Sequence, residues 1–320
     1  MIKEAIENFA EQFAYEPVIE NKENWKKADK FLLVGMGGSH LQGGILRMLK
    51  PSLDFMIHQD YGLPECVGKD RLVIVSSYSG NTEETISAFK EAIERGFSVT
   101  VSSVGGKLIE LAKHHEVPYI QIPDTGIQPR SALGYTTKAL LKLAGEEELL
   151  RESSGLAASL HPKEFEDAGK ALAQRLFGKV PVIYSSRRNQ PIAYNWKIKF
   201  HESAKVPCFF TVFPEVNHNE MTGFDVIEST KKLSENLCFI FLKDAKDDPK
   251  IQKRMEVLER LYQERGFKIE IVSFKGGSML QRIFCCLLLA DWTAWYTAKE
   301  YGTEPEEVPM IEEFKKQIAE

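Results

Sequence analysis

Short apolar runs alternate with helix-period patterns along the first half of the chain. Residues 31–35, 54–58, 72–76, 97–102 and 119–122 read as strands, and amphipathic stretches separate them. The intervening helices start at recognisable signals: Ser39 before LQGGILRMLK, Asn81-Thr82 before EETISAFKEAIERG, and Gly106 before KLIELAKHH. The second half repeats the theme, with strands near 180–185, 208–213, 237–242 and 268–274 and helices around 191–205, 249–265, 279–302 and 309–318. This βαβα order predicts an α/β fold in which each half forms a mostly parallel sheet flanked by helices. Between the halves, residues 145–162 (GEEELLRESSGLAASLHP) lose apolar periodicity and read as a helix end plus linker, dividing 1–152 from 153–320. FLLVGMGGSH and PVIYSSRRN, the opening strands of the two halves, both run at once into small polar residues and a helix. The halves therefore read as diverged copies of one unit. Many chemistries share such sheets, so the fold class alone does not give a function.

Composition narrows the field. A length of 320 residues suits about two domains, and 43% hydrophobic with 27% charged residues is an ordinary globular balance. Lys plus Arg total 41 against 46 acids, a net charge of −5, which argues against holding nucleic acid by bulk charge and leaves room for a local anion pocket. Cys66, Cys208, Cys238, Cys285 and Cys286 form no CxxC pair. All but Cys66 sit in apolar surroundings, as buried thiols of a reducing compartment such as the cytoplasm would. The opening MIKEAIENFAEQF interrupts its apolar positions with acids, unlike a signal peptide. The longest apolar run, 283–290, stops at Asp291 and is too short to span a bilayer.

Two strand-to-helix loops invite a phosphate. At Gly35-Met36-Gly37-Gly38-Ser39, glycines let backbone N–H groups approach an anion, the helix start supplies unsatisfied donors, and Ser39 adds a hydroxyl. The third glycine and the ribose-binding acid of a dinucleotide fingerprint are missing, and a tight turn without ligand stays open as a reading. The second loop, SSYSGNTEET at 76–85, clusters the hydroxyls of Ser77, Ser79 and Thr82 at another helix start. Hydroxyls and amides without a GxxxxGK[ST] lysine suit a small phosphorylated metabolite rather than a nucleoside triphosphate. An elaborated helix cap is the alternative.

SSYSGNTEET, VGMGGSHLQGG and VSSVGGKLIELAKHHEVPYIQIPDTGIQPRSALGY together resemble the sugar isomerase (SIS) domain family. Within it the chain is most similar to the bifunctional phosphoglucose/phosphomannose isomerases. The resemblance continues through NWKIKFHESAKVP, FPEVNHNEMTGFD and VPMIEEFKK, and so spans nearly the whole chain. It implies two SIS-type subdomains, each an αβα sandwich. It also implies aldose to ketose isomerisation between glucose 6-phosphate and fructose 6-phosphate, and between mannose 6-phosphate and fructose 6-phosphate, through a cis-enediolate. No cofactor and no metal are implied. The expected partners are a sugar 6-phosphate substrate and a second copy of the chain, with neither nucleic acid nor membrane.

Such a reaction needs a carboxylate base, a cation near the developing oxyanion and an acid/base pair to open the ring. Glu202 lies among Trp196, Ile198, Phe200, Lys199, His201 and Lys205, apolar and basic influences that oppose each other in tuning a carboxylate. On residues alone, Glu202 pairing with Lys199 or Lys205 on a solvated helix face is the favoured reading; the resemblance makes it the proton-transfer base. Arg130 starts a helix, where a cation opposes the dipole unless an anion accompanies it; an interdomain salt bridge is the alternative. The resemblance assigns it to the enediolate. His218 in PEVNHNEM is of the one side-chain type whose unperturbed range suits proton exchange at neutral pH, and the resemblance makes it a ring-opening residue reaching the active site from the partner subunit. Lys315 shares an i, i+3, i+4, i+7 stripe with Ile311, Phe314 and Ile318, so a buried helix face carrying a lysine is expected. The resemblance places the second ring-opening residue there, with Lys316 as the fallback. By the same route Gly37, Gly38, Ser39, Ser77, Ser79 and Thr82 receive the phosphate. Val308 stands where the family commonly has threonine, a specificity position for the C2 hydroxyl, which makes mannose 6-phosphate the weaker half of the expectation. Two other classes compete: a non-catalytic SIS regulator that binds sugar phosphate, and a metal-dependent phosphomannose isomerase, whose clustered ligands the scattered histidines do not provide.

Overall fold

The computed structural model describes residues 2–318. Helix α1 (Ile2–Glu7) opens the chain. Residues divide into two compact units, Glu7–His161 in one and 2–6 with 162–318 in the other.

In the Glu7–His161 unit, strands β1 (Lys30–Val34), β2 (Asp54–His58), β3 (Leu72–Ser76), β4 (Ser98–Ser103) and β5 (Tyr119–Gln121) make one parallel sheet of order β2-β1-β3-β4-β5. Helices α2 (Leu41–Leu49), α3 (Glu83–Glu94), α4 (Gly106–His114) and α5 (Leu133–Leu143) connect or cover the strands. Because strand side chains alternate, Phe31, Leu33, Leu72 and Ile74 pack with Leu46 of α2 and Leu140 of α5 on one face. Leu32, Val34, Val73 and Val75 pack with Phe89 of α3 and Leu108 of α4 on the other. A parallel sheet covered on both faces explains why these strands read as continuous apolar runs. The stretch expected to be helix end plus linker instead continues the fold as α6 (Glu147–Ser154) and α7 (Leu156–Ser159). Leu150, Leu156, Leu160 and Pro162 supply its buried apolar groups, too sparse a set to show a period. Each leucine still contributes about 1.5–3 kcal/mol on burial.

The other unit carries α8 (Glu166–Leu176), β6 (Val180–Ser186), α9 (Gln190–Lys199), β7 (Phe209–Phe213), β8 (Leu237–Lys243), α10 (Pro249–Glu264), β9 (Lys268–Ser273), α11 (Met279–Tyr301) and α12 (Pro309–Ile318). Its strands are again all parallel, in the order β7-β6-β8-β9. That matches β2-β1-β3-β4 position for position, as diverged copies should. On one face an aromatic layer of Tyr184, Phe213, Phe239 and Phe241 packs with Leu258 and Tyr262 of α10. The apolar run 283–290, buried throughout except for Leu289, lies within α11, which packs against α8 and α9. Among the described residues no helix is long and apolar enough to cross a membrane. The cysteines are free; Cys66 is exposed and the other four are buried. Burial pushes the Cys285 thiol up to about 11 and the Cys238 thiol up to about 12.

The helix expected over 191–205 is present but changes type along its length. Helix α9 ends at Lys199 and the chain runs on through a π-turn, Phe200–Ala204, that Lys205 closes at φ 58°. Wide turns of this kind inside or at the end of helices recur at functional sites.

Candidate active site

In each sheet the first strand is central and its two neighbours are reached in opposite directions, which opens a crevice beyond the carboxyl ends of the strands. In the first unit that crevice lies after β1 and β3, where both candidate phosphate loops emerge. The β1 loop forms a tight turn, Gly37–His40, leading straight into α2. A Cβ on Gly38 would stand 2.9 Å from the Pro129 carbonyl carbon and 3.0 Å from the Arg130 nitrogen. Only glycine lets these two turns touch, and the contact brings the Arg130 backbone against the β1 loop. Arg130 itself is buried in the Pro129–Ser131 turn that precedes α5.

Hydrogen bonds tie the β1 loop to the β3 loop. The Tyr78 N–H donates to Ser39 Oγ at 2.8 Å, and Gln42 Nε2 donates to the Ser39 carbonyl at 2.7 Å and to Ser76 Oγ at 3.1 Å. In the β3 loop, Ser77 Oγ and Thr82 Oγ1 are 2.9 Å apart, and Ser77 Oγ also accepts from Gly80 N–H at 3.1 Å. Ser79 Oγ accepts from Asn81 N–H at 3.3 Å. Gly80 holds φ 74°, and a Cβ there would lie 1.8 Å from the Gly105 carbonyl oxygen. Thr82 is the N-cap of α3 by position, yet its side chain makes no bond to the first turn. Simple capping therefore does not account for the hydroxyl cluster. A helix start whose cap hydroxyl is turned aside retains donors and a partial positive charge for an anion.

His40, which the sequence pattern does not single out, ends the β1 turn. It is buried, with Nδ1 3.4 Å from Gln59 Nε2, and burial pushes its pKa down to about 4. A neutral imidazole thus stands beside the loop at ordinary pH. Its only sequence signal is adjacency to Ser39.

In the second unit Glu202 sits half-buried in the π-turn. Lys199, one of its suggested ion-pair partners, is paired with Asp291 instead. The Lys205 ammonium donates to the backbone carbonyls of Glu202 and Glu307, and Thr303 Oγ1 donates to the Ala204 carbonyl at 3.4 Å. These bonds fasten the π-turn to the segment that leads into Val308 and α12. The His201 ring engages the backbone of Cys208 at 2.8–2.9 Å, and burial lowers its pKa. It anchors the turn to β7.

His218 follows the Glu215–Asn217 turn, is exposed, and makes no side-chain hydrogen bond among the described residues. Val308 precedes α12 and its carbonyl accepts from Ile311 and Glu312 N–H at 3.0 and 3.1 Å, the role of an N-cap, although its side chain has no oxygen to bond the helix. The face of α12 that bears Lys315 is not buried in the chain, contrary to the expectation from its stripe. Its described residues are all exposed, Met310 by 81% and Phe314 by 61%, and Lys315 Nζ pairs with Glu312 Oε1 at 2.8 Å. The amphipathic pattern is real, but its described residues all lie exposed in the single chain. Among the described residues no three His, Cys, Asp or Glu side chains gather as metal ligands would.

The structure resembles a glucosamine-6-phosphate deaminase from Thermotoga maritima with a TM-score of 0.69 at 15% identity, covering 96% of this chain and 97% of that one, a likeness of fold. Residues 165–318 match the bacterial phospho-glucose isomerase C-terminal SIS domain. A bifunctional phosphoglucose/phosphomannose isomerase from Aquifex aeolicus is 32% identical over 99% of this chain and 98% of its own. Another of the same name, from Caldicellulosiruptor bescii, is 35% identical over 91% of this chain and 90% of its own. With relatives this similar along nearly their entire length, and with the doubled parallel sheet and its loops, the chain belongs to the bifunctional phosphoglucose/phosphomannose isomerase family.

Proposed function

We propose that the protein interconverts glucose 6-phosphate and fructose 6-phosphate, and mannose 6-phosphate and fructose 6-phosphate, by proton transfer through a cis-enediolate. The observation that carries this reading is the joined pair of loops after β1 and β3, rich in hydroxyls and amides, in a chain whose relatives are isomerases of such sugars. Gly37, Gly38, Ser39, Ser77, Ser79 and Thr82 receive the phosphate. Glu202 takes the proton from C2 of the opened aldose and returns it at C1, and Arg130 offsets the negative charge that develops on oxygen between the two steps. His218 and Lys315 exchange protons with the ring oxygen and the anomeric hydroxyl as the ring opens. No step in this scheme calls for a metal or an organic cofactor.

The working form is a homodimer in which His218 serves the partner's active site. The uncovered stripe of α12 supports a second copy, because Met310, Ile311, Phe314 and Ile318 lie exposed in one chain. Buried free thiols favour the cytoplasm. Many turnovers of fructose 6-phosphate in heavy water should build up solvent deuterium at C2 of the aldose, as the proton held on Glu202 exchanges between passes; an aldose still free of deuterium after prolonged equilibration would exclude the enediolate route.

A further inference from the structure

Tyr184 lies in β6 at the centre of the aromatic layer and is fully buried. Phe213, Phe239 and Phe241 surround its ring at centroid separations of 5.3–6.0 Å. A hydroxyl in such surroundings costs about 1–3 kcal/mol unless it is bonded, and phenylalanine would fill the same space without that cost. The hydroxyl is bonded: it donates to Glu220 Oε1 at 2.8 Å, and the buried Tyr262 hydroxyl lies 3.3 Å behind it. Burial raises both phenols well above their ordinary range, so both keep their protons to donate. A polar pin thus runs through an apolar layer to one carboxylate at the surface.

That carboxylate belongs to the turn Glu220–Phe224, which begins two residues after His218. Phe224, at its far end, packs edge-on against Phe239, Tyr262 and Phe267. On the other side of His218, Phe213 and Val216 are fully buried, and Arg254 Nη1 of α10 donates to Asn217 Oδ1 at 3.3 Å. His218 therefore stands on a short exposed arc between two anchors. Glu220 is the polar fastening of the second.

We infer that Glu220 is a positioning residue for His218, held through Tyr184 and Tyr262; this rests on the ring-opening role proposed for His218. The test compares fructose 6-phosphate with 5-deoxyfructose 6-phosphate, which lacks the hydroxyl that closes the ring and so needs no opening. Glu220→Ala and Tyr184→Phe should each lower kcat on fructose 6-phosphate by about tenfold to a hundredfold, while KM and turnover of the deoxy compound stay within about twofold. Glu220→Gln, which still accepts from the Tyr184 hydroxyl, should restore most of the loss. Equal slowing on both substrates, or undiminished turnover of fructose 6-phosphate, would overturn the proposal. His218→Asn serves as the reference: if it slows fructose 6-phosphate and Glu220→Ala does not, positioning alone fails. If His218→Asn turns over fructose 6-phosphate at the parent rate, the ring-opening role and the positioning proposal fall together.

Discussion

The Lys205 ammonium donates to the carbonyl oxygen of Glu307, 102 residues further along the chain. The same group holds the carbonyl of Glu202, so one cation joins the π-turn of the proposed base to the approach of α12. Lys205 does this from a left-handed backbone at φ 58°, a conformation that favours glycine. Replacing it with methionine should destabilise the protein by about 1.5–3 kcal/mol, the range for a hydrogen bond involving a charged group. Lys205→Gly relieves the backbone but removes the clamp, so it should recover part of the stability and none of the activity. Urea midpoints and kcat for the two variants separate these effects.

Glu202→Gln keeps the volume of the side chain and removes its capacity to accept a proton at neutral pH. Isomerisation should fall by about a hundredfold to ten-thousandfold, the usual contribution of a positioned base. Sugar-phosphate binding, measured by calorimetry with fructose 6-phosphate, should stay near the parent value. A Gln variant with parental turnover would eliminate Glu202 as the base.

Val308 occupies the N-cap of α12 without a capping oxygen. Val308→Thr has nearly the same shape and adds one, which should stabilise the helix start by about 0.5–1 kcal/mol. In the isomerase reading the same hydroxyl meets the sugar near C2, so the ratio of mannose 6-phosphate to glucose 6-phosphate turnover should rise. An unchanged ratio would show that the position does not sense the epimer.

His40 gives the fold an acid sensitivity with a definite sign. Its folded pKa is lowered to about 4 from an ordinary 6.5, so between those values the unfolded chain binds the extra proton. Stability is therefore unaffected by this group above pH 6.5 and declines as the pH falls toward 4, by about 3 kcal/mol in all. Denaturant unfolding across that range should show the decline, and His40→Gln should flatten it.

Much of the fold is legible in the residue pattern, because parallel strands buried on both faces leave compact apolar runs between helix signals. The expected strands at 54–58 and 72–76 coincide with β2 and β3, and the others differ at their ends by a residue or so. Residues 145–162 were not legible as helices, since three well-spaced leucines suffice to seat α6 and α7. Nor was the π-turn, which differs from an ordinary helix end only in which carbonyl each N–H finds. At the site, glycine and hydroxyl spacing shows two loops but not that Ser39 bonds Tyr78 or that Thr82 turns to Ser77 instead of capping α3. Those bonds, like the one from Tyr184 to Glu220, depend on which segments the sheet brings together. The stripe of Lys315 shows the converse limit: periodicity says that a face is apolar, not what covers it.

The most direct measurement supplies the purified protein with fructose 6-phosphate and follows glucose 6-phosphate and mannose 6-phosphate separately through coupled dehydrogenase assays. Both products are expected, glucose 6-phosphate the faster, and both should be lost in Glu202→Gln. Binding of fructose 6-phosphate with neither product formed would contradict the isomerase reading and make the chain a sugar-phosphate sensor.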